Sequence, residues 1–470
     1  MAILLSACST VRFQPTETIS HIRTNEGYRL QTALNHAQKK EDIVIMMFSG
    51  GGTRAAALGY GVLEALNNQP VRLNGKYGSW LDNINVVYGV SGGSVLATYF
   101  SLHGKDTIPA FESHFLKRNF QRQLISQFLS LANLSRLTSS EFGRGDLLQE
   151  QFENALFGHT TFGDLAQRRK GPFAVISATD MMAGRRLDFT QEYFDVLCLN
   201  LSDLKLARAV AASSAVPLIF APVTLNNNGG NCGYALPDPM RQALDGHAQH
   251  TLQQRTQQEY LNHIQHYTSS RQPYLHLLDG GLTDNLGLRH LLEMNEIYAS
   301  NTLKSRFVGP TTKRIIVITV NAQNQLSSDI GQKAAVPGLR ETVNAVISIP
   351  IDQQSQGALR RFRTLMDAIN ASTYNANGEK IKAYFISLNL YDLPESALRH
   401  KLLNIPTTFN LPHEDIRLLK SAAPILLERS AEYQRLLQDL EEKANPAVDS
   451  TIPVSGSYKP AYAATGQSLS

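Results

Sequence analysis

The chain contains Ile84-Asn85-Val86-Val87-Tyr88-Gly89-Val90-Ser91-Gly92-Gly93-Ser94-Val95-Leu96. The part before Gly89 is short and rich in β-branched residues, which predicts a strand, and the part after Gly93 has the pattern of a helix. A serine on a glycine-flanked turn between a strand and a helix is typical of a nucleophile elbow. Glycines suit such a sharp turn because they adopt strained backbone angles at low cost. We therefore predict that the Ser91 hydroxyl projects from the sheet at the positive end of the following helix.

A second glycine turn precedes this one. Residues 43–48 read as a fully buried strand, and they are followed by Ser49-Gly50-Gly51-Gly52-Thr53-Arg54 and a predicted helix from Ala55 to about Leu66. Three successive glycines at a helix start expose backbone N–H groups, so the loop can bind an anion or an oxyanion. The loop lacks a following Gly-Lys-Ser/Thr and the spacing of a dinucleotide loop, which disfavours a nucleotide. An oxyanion hole for a serine nucleophile fits better.

A third motif is Tyr274-Leu275-His276-Leu277-Leu278-Asp279-Gly280-Gly281, an apolar strand that ends in a carboxylate and two glycines. Catalytic groups gather at the carboxyl ends of strands in open α/β sheets. A carboxylate in this position is also typical of an ordinary turn or helix cap.

Together these motifs closely resemble the patatin-like phospholipases. The matching residues are Gly50 to Arg54, Gly89 to Gly93, and Asp279-Gly280-Gly281 with Asn285 just beyond. Residues 212–220 resemble the Ala-Ser…Pro block of that family, and residues 405–427 resemble the end of its bacterial members. This chain has Ala55 where the first glycine motif of the family usually has a further glycine.

The resemblance implies an α/β fold: a three-layer α/β/α sandwich with a central, mostly parallel sheet and a helical insertion near the active site. It implies a serine acyl-ester hydrolase acting on lipids, of the phospholipase A or lysophospholipase type, with no cofactor and no metal. Ser91 would be the nucleophile, Asp279 the proton acceptor, and the N–H groups of Gly50, Gly51 and Gly52 the oxyanion hole. Arg54 would brace that loop or add positive charge near a headgroup. The supporting motif residues are Gly89, Gly93, Gly280, Gly281 and Asn285.

Two other classes stay open. One is an α/β-hydrolase with a Ser-Asp-His triad, for which His290, His400 and His413 are the histidines after Asp279. His276 is a rival on the strand of Asp279, but strand alternation points it to the opposite face, where we expect it to be a packing residue. The second class is a catalytically silent surface lipoprotein.

The N-terminus predicts a membrane anchor. Leu5-Ser6-Ala7-Cys8 resembles the lipobox of bacterial lipoproteins, in which the cysteine is lipidated, although residues 1–4 are too short for a signal peptide. Lipidation of Cys8 would place the protein in the bacterial cell envelope, and otherwise we expect it in the periplasm or cytoplasm. A net charge of +4 on 470 residues argues against nucleic acid as a partner. No apolar run is long enough to span a bilayer.

The remaining sequence suggests how the chain is organised. We expect a truncated signal segment at 1–8, a polar tether at 9–40, the patatin-like domain at 41–440 and a disordered tail at 441–470. An insertion at about 226–273 is rich in Gln and His, and we expect a solvated helix that serves as a cap or lid. Its pairs His247/His250 and His263/His266 lack the further ligands of a metal site. Cys198 and Cys232 are predicted to be buried or incidental, with a disulfide possible.

Overall fold

The computed structural model describes residues 13–130, 133, 136–137, 139–236, 241, 252–269, 271–297, 307–324, 331 and 334–441. The strands in this part of the chain are β1 Asp42–Phe48, β2 Val71–Leu73, β3 Lys76–Gly78, β4 Ile84–Val90, β5 Phe173–Asp180, β6 Arg185–Asp188, β7 Val223–Asn226, β8 Tyr274–Asp279, β9 Arg314–Asn321 and β10 Lys382–Asn389. The helices include α1 Leu30–Ala37, α2 Gly52–Asn67, α3 Gly92–His103, α4 Thr107–Phe111, α5 Phe120–Phe128, α6 Arg144–Phe152, α7 Phe162–Arg168, α8 Gln191–Val196, α9 Leu206–Ser213, α10 Leu252–Thr268, α11 Gly281–Asp284, α12 Arg289–Ile297, α13 Leu339–Ser372, α14 Ala397–Leu403, α15 His413–Arg429 and α16 Ala431–Glu441.

The main sheet has the strand order β10-β9-β1-β4-β5-β8-β7, and β6 pairs with β5. Strands β10, β9, β1, β4 and β5 run parallel to one another. Strand β8 runs antiparallel to β5, and β7 runs antiparallel to β8. The predicted α/β/α architecture with a mostly parallel sheet is confirmed.

The central strands are apolar because both of their faces are covered. Every residue of β1 and of β9 is buried, as expected for parallel strands that lie between two helical layers. Helix α2 starts at Gly52, three residues earlier than predicted, and is buried along most of its length because α15 packs on its outer side. Helices α2 and α3 therefore hold rigidly the two glycine turns from which they begin.

Residues 13–40 do not form the expected polar tether. The ring of Tyr28 is buried and stacks on Phe173 with 4.0 Å between ring centroids. The Arg29 guanidinium forms a buried ion pair with Asp195 at 2.8 Å. The described part of this segment thus packs on the domain, whereas residues 1–12, with Cys8, and residues 442–470 lie outside the described residues.

The insertion is less solvated than expected. In α10, Tyr267 is fully buried and its hydroxyl donates to Asp180 at 2.7 Å, while His263 contacts the Tyr193 hydroxyl at 2.7 Å. Burial lowers the pKa of His263 to about 3, so its ring is neutral at physiological pH. Helix α10 packs against α8 and α12. His247 and His250 lie outside the described residues.

A disulfide joins Cys198 to Cys232, with the Sγ atoms 2.10 Å apart. Both cysteines are buried. The sequence had left this pairing open because cysteines 34 residues apart carry no local signal that they meet.

The described residues contain neither a membrane-spanning helix nor a cluster of metal-binding side chains. None of the helices there is both long and apolar enough to cross a membrane. The same part of the chain holds no group of three or more His, Cys, Asp or Glu side chains arranged to bind a metal ion.

Candidate active site

Ser91 lies on a strained turn between β4 and α3. Its backbone has φ 50° and ψ −124°, a conformation that non-glycine residues rarely adopt. The turn packs directly on the first glycine loop, since a Cβ on Gly92 would lie 1.9 Å from the carbonyl oxygen of Gly52. The strain and the close approach together fix the position of Ser91 at the N-terminus of α3.

Ser213 holds the elbow from the opposite side. Its hydroxyl accepts the Ser91 N–H at 2.9 Å and donates to the carbonyl oxygen of Ser177 at 2.7 Å. Ser213 belongs to residues 212–220, whose resemblance to the Ala-Ser…Pro block of the family did not predict this contact. Only its place in the Ala-Ser…Pro motif could have identified it.

Asp279 ends β8 at the level of the turn that carries Ser91. Strand β8 is antiparallel to β5 and overlaps only its last three residues, Ala178 to Asp180. Asp279 therefore pairs with Ala178, one residue beyond the pairing of Val90 with Ser177, and lies at the edge where the parallel strands end. The predicted residue thus reaches the site at that edge, although β8 enters the sheet there in the antiparallel direction.

The Ser91 side chain lies near enough to the Asp279 carboxylate to lower its pKa by hydrogen bonding. The carboxylate also accepts the N–H of Gly281 at 2.8 Å. Burial raises the pKa of Asp279 from 3.8 to about 6, and the hydrogen bonds from Ser91 and Gly281 oppose that rise. The buried carboxylate is consequently a stronger base than an exposed aspartate.

The glycine loop offers two free donors rather than three. The N–H of Gly50 donates to the carbonyl oxygen of Asn285 at 3.1 Å, which removes it from the predicted oxyanion hole. Among the described residues, the N–H groups of Gly51 and Gly52 have no acceptor. Both have positive φ, 136° and 60°, and a Cβ on Gly52 would lie 2.5 Å from the carbonyl oxygen of Thr408. Glycine is required here for both backbone conformation and space.

Arg54 braces the loop from inside the protein. Its side chain is buried and donates to the carbonyl oxygens of Ala322 and Ile405, each at 2.7 Å, and to Asn324 Oδ1 at 3.2 Å. Burial lowers its pKa to about 10, which leaves the guanidinium charged at neutral pH. Of the two predicted roles, the contacts match the bracing role.

The supporting motif residues lie where elements approach closely. Asn285 lies against the glycine loop, because a Cβ on Gly50 would come within 2.5 Å of its Oδ1 atom. The other four are glycines at which a Cβ would lie 3.0 Å or less from a neighbouring atom: Gly89, Gly93, Gly280 and Gly281.

These residues meet in a cavity of about 540 Å³. It is lined by Ser91, Asp279, Gly50, Gly51, Gly52, Arg54, Gly281 and Asn285 among others. One wall is apolar and consists of Leu124, Ile125, Phe128, Val216, Pro217, Ile219, Phe220 and Phe409. Another is mixed and includes Gln323, Asn324, Asn344, Ile347, Ser348, Ile351 and Asp352. The described residues of the insertion are absent from this lining, so the expected lid is replaced here by α5 and α13.

The cavity lining contains no histidine among the described residues. His290 pairs with Asp188 at 2.7 Å, and His400 lies on the exposed side of α14. His413 is exposed at the start of α15, and His276 is exposed on β8 rather than packed as predicted. A Ser-Asp-His triad therefore has no candidate third member in this cavity.

Fold and site together define a class: a three-layer α/β/α protein in which a glycine-flanked serine meets a buried aspartate in a largely apolar cavity. The family model described as "Patatin-like phospholipase" matches residues 46–292, more than half of the chain. The chain belongs to the patatin-like phospholipase family, a family of lipid acyl hydrolases. The matched range contains both glycine turns and Asp279. A comparison with curated protein sequences gives no match.

Several solved structures are similar at low sequence identity. Human GIVD cytosolic phospholipase A2 has a TM-score of 0.45 at 13% identity, covering 88% of this chain and 65% of its own. VipD from Legionella pneumophila has a TM-score of 0.30 at 13% identity, covering 93% of this chain and 72% of its own. ExoU of the Pseudomonas aeruginosa type III secretion system, in complex with SpcU, has a TM-score of 0.22 at 16% identity, covering 93% of this chain and 96% of its own. The chain thus spans slightly less than two thirds of the human structure.

Proposed function

We propose that the protein hydrolyses acyl esters of lipids through a catalytic dyad of Ser91 and Asp279. The observation that carries the proposal is that Ser91 and the buried Asp279 carboxylate line the same largely apolar cavity, with Ser91 near enough to favour the ionised carboxylate. A serine nucleophile needs an adjacent base, and Asp279 is the carboxylate in contact with it.

The proposed reaction has two stages. In the first, Ser91 Oγ attacks the ester carbonyl carbon while Asp279 takes the hydroxyl proton, and this proton then passes to the leaving alcohol. In the second, Asp279 takes a proton from a water molecule, whose oxygen attacks the acyl-serine, and the proton passes from Asp279 to Ser91 Oγ as the C–Oγ bond breaks and the fatty acid leaves. The N–H groups of Gly51 and Gly52 hold the negative oxygen in both stages, supported by the positive N-termini of α2 and α3.

The cavity suggests how a lipid would lie. An acyl chain fits along the apolar wall formed by α5 with Val216, Pro217, Ile219 and Phe220, where its burial is favourable. The ester and the polar part of the lipid would face Gln323, Asn324, Asn344 and Asp352. Phospholipids and lysophospholipids are the substrate classes we propose on this basis.

The test combines active-site labelling with product analysis. The purified protein is reacted with a long-chain alkyl fluorophosphonate, which marks activated serines, and is incubated separately with a mixed phospholipid extract. We expect a covalent adduct on Ser91 and release of free fatty acid. Ser91→Ala should lower kcat by about a thousandfold or more.

Ser101→Ala is the matched control. Ser101 is also a buried serine of α3, and its hydroxyl donates to the carbonyl oxygen of Pro172 at 2.6 Å. This variant should keep wild-type turnover. A folded Ser91→Ala protein with undiminished hydrolysis would exclude the dyad, and a wild-type protein without any labelling or hydrolysis would support the silent-lipoprotein alternative.

We also propose that Cys8 is lipidated and that the protein is anchored in the bacterial cell envelope. The lipobox-like Leu5-Ser6-Ala7-Cys8 supports this proposal. So does the Cys198–Cys232 disulfide, because disulfides persist mainly in oxidising compartments outside the cytosol.

A further inference from the structure

Large apolar side chains are exposed around the mouth of the active-site cavity on three separate elements. On α5, Ile125 lines the cavity, and Leu129, one helical turn further on, is 79% exposed. On the loop after α9, Ile219 lines the cavity, and its neighbour Leu218 is 69% exposed. We call the exposed apolar residues of these two elements and of α13 the rim.

Helix α13 supplies the third part of the rim. Asn344, Ile347, Ser348 and Ile351 line the cavity, whereas three other apolar residues of the same half of the helix are exposed. The exposed members are Leu339, Val346 and Ile349, at 82%, 68% and 49%. The first half of this helix therefore exposes three large apolar side chains beside Glu341, Thr342 and Asn344, more than an ordinary surface helix presents to solvent.

The backbone at Leu218 gives an independent indication. Leu218 has φ 70°, a left-handed conformation that is a true outlier for a bulky residue. A strained, exposed leucine at the edge of a substrate cavity has no packing role that would explain it. Such outliers concentrate at functional sites, where they hold a side chain in a required position.

Basic side chains accompany the rim. The Arg144 guanidinium donates to the carbonyl oxygen of Leu218 at 3.3 Å. Arg118 and Arg122 are exposed at the start of α5, and residues 117–130 contain no Asp or Glu. The first half of α13 contains two acidic residues: the Glu341 carboxylate accepts the N–H of Gly338, and Asp352 lines the cavity. Exposed apolar groups beside arginines match the interfacial region of an anionic bilayer.

We propose that the rim is the surface by which the protein docks on a lipid bilayer, with the cavity mouth facing the membrane. The occupant is inferred from the position of the rim: it surrounds the opening that leads to Ser91, so a protein partner there would block access, whereas a bilayer supplies lipid. This inference rests on the proposed lipid hydrolysis. It is separate from the proposed anchor at Cys8, because it concerns reversible contact by the folded domain.

The test is flotation with vesicles of phosphatidylcholine and phosphatidylglycerol. All proteins are full-length and carry Cys8→Ser, to remove any lipid anchor, and Ser91→Ala, to prevent hydrolysis during binding. The first rim variant is Val346→Gln with Ile349→Gln, two exposed residues outside the cavity lining. We expect its affinity for vesicles to fall by about tenfold or more, because two aliphatic side chains no longer enter the bilayer.

The second rim variant is Leu218→Asn. Asparagine tolerates the left-handed conformation, so this protein should unfold at the same or a higher temperature while binding vesicles more weakly. The matched control is Tyr77→Gln. Tyr77 is 76% exposed on the β2–β3 hairpin, near the end of α2 remote from the glycine loop, and its loss should leave flotation unchanged.

Soluble-ester hydrolysis separates this proposal from the proposed function. With Ser91 restored, the rim variants should hydrolyse p-nitrophenyl butyrate at the wild-type rate while losing activity on vesicles. Rim variants that float like their parent would overturn the docking surface even if ester hydrolysis is intact. The docking surface would also be overturned if the rim variants changed the oligomeric state of the protein and the parent protein did not bind vesicles. The rim would then contact a second copy of the chain. Absence of ester hydrolysis in the wild type would refute the proposed function, whereas flotation would still decide the docking surface.

Discussion

Asp279 has to be both buried and ionised, and these two requirements oppose each other. Burial favours the neutral carboxylic acid, whereas only the carboxylate can take the proton of Ser91. The hydrogen bonds from Ser91 and Gly281 limit the cost of ionisation, and the pKa settles at about 6. The proposed base is therefore ionised at neutral pH.

This pKa determines the pH profile that we predict. Activity should fall as the pH drops through about 6, since protonated Asp279 can no longer act as a base. An aspartate with the ordinary pKa of about 3.9 would show no loss of activity near pH 6, so the burial of Asp279 changes the expected profile. The profile by itself therefore cannot distinguish Asp279 from a histidine. The discriminating measurement is to change His276, His290, His400 and His413 singly to Gln. Each folded variant should be as active as the wild type and should show the same fall in activity at acidic pH. Loss of activity in any one of them would support a Ser-Asp-His triad instead of the dyad.

Asp279→Asn should be inactive but more stable than the wild type. Removal of the base should lower kcat by about a hundred- to ten-thousandfold. The folded-state pKa is raised, so the wild type loses stability as the pH rises from about 4 through about 6, and asparagine avoids that loss. A shift from 3.8 to about 6 corresponds to at most about 3 kcal/mol in the free energy of unfolding. Denaturant unfolding at pH 8 and at pH 4 measures the difference in the free energy of unfolding between Asp279→Asn and the wild type. If this difference is the same at both pH values, the raised pKa of Asp279 is contradicted.

At the scale of elements, the two helices that begin at glycine turns present the donors and the nucleophile. Helix α2 is held by the bond from Thr53 N–H to the Thr408 carbonyl oxygen at 2.8 Å, and the contacts of Arg54 tie the same loop to residues after β9. Both helix N-termini meet at the cavity because β1 and β4 are neighbouring parallel strands.

Gly51→Ala tests the oxyanion loop. A Cβ at φ 136° forces the backbone to rotate and turns the N–H groups away from the substrate. We expect kcat to fall about a hundredfold to a thousandfold in ester hydrolysis assays. Gly75→Ala is the control, because Gly75 also has positive φ, 74°, but has open space around it. It should lose stability, as Gly51→Ala does, yet keep its turnover. Equal turnover in both variants would mean that the loop is only a connector.

Ser213→Ala tests the support of the elbow. The variant leaves the buried N–H of Ser91 without its acceptor, which costs about 1–3 kcal/mol and displaces the nucleophile. We expect kcat to fall about ten- to a hundredfold with KM little changed. Ser214→Ala is the neighbouring control, since the buried Ser214 hydroxyl has no hydrogen-bond partner among the described residues. If both variants behave alike in steady-state kinetics, Ser213 has no positioning role.

At the scale of the whole molecule, the proposed membrane attachment has two parts. The rim would contact the bilayer reversibly, and a lipid on Cys8 would keep the protein at the membrane between contacts. Stable anchoring requires more than one acyl chain or a second signal, and the two parts together would meet that requirement.

Cys8→Ser therefore has a specific expected outcome. When a functional export signal precedes residue 1, the wild type should fractionate with membranes and carry a lipid on Cys8, detectable by mass spectrometry. Cys8→Ser should move most of the protein to the soluble fraction after a salt wash, whereas Val346→Gln with Ile349→Gln should remain anchored. Equal membrane association of wild type and Cys8→Ser would count against the lipobox.

The sequence by itself determined the parts of the site that are built locally. The strand–glycine–serine–glycine–helix pattern defines the elbow at Ser91, and Gly51 and Gly52 define a donor loop, because turns depend on the backbone preferences of adjacent residues. The buried parallel strands were predictable for the same reason, since continuous apolar runs indicate cover on both faces.

Only the tertiary structure decided which groups meet. The antiparallel pairing of β8 brings Asp279 to Ser91, and the carbonyl oxygen of Asn285 withdraws the N–H of Gly50 from the donor set. Ser213 lies 122 residues from its partner Ser91, and Arg54 lies 351 residues from the carbonyl of Ile405. Contacts at such separations depend on strand order and on packing between elements, which no local pattern of residues encodes. The pKa of Asp279 follows the same rule, because burial is a property of the folded molecule as a whole.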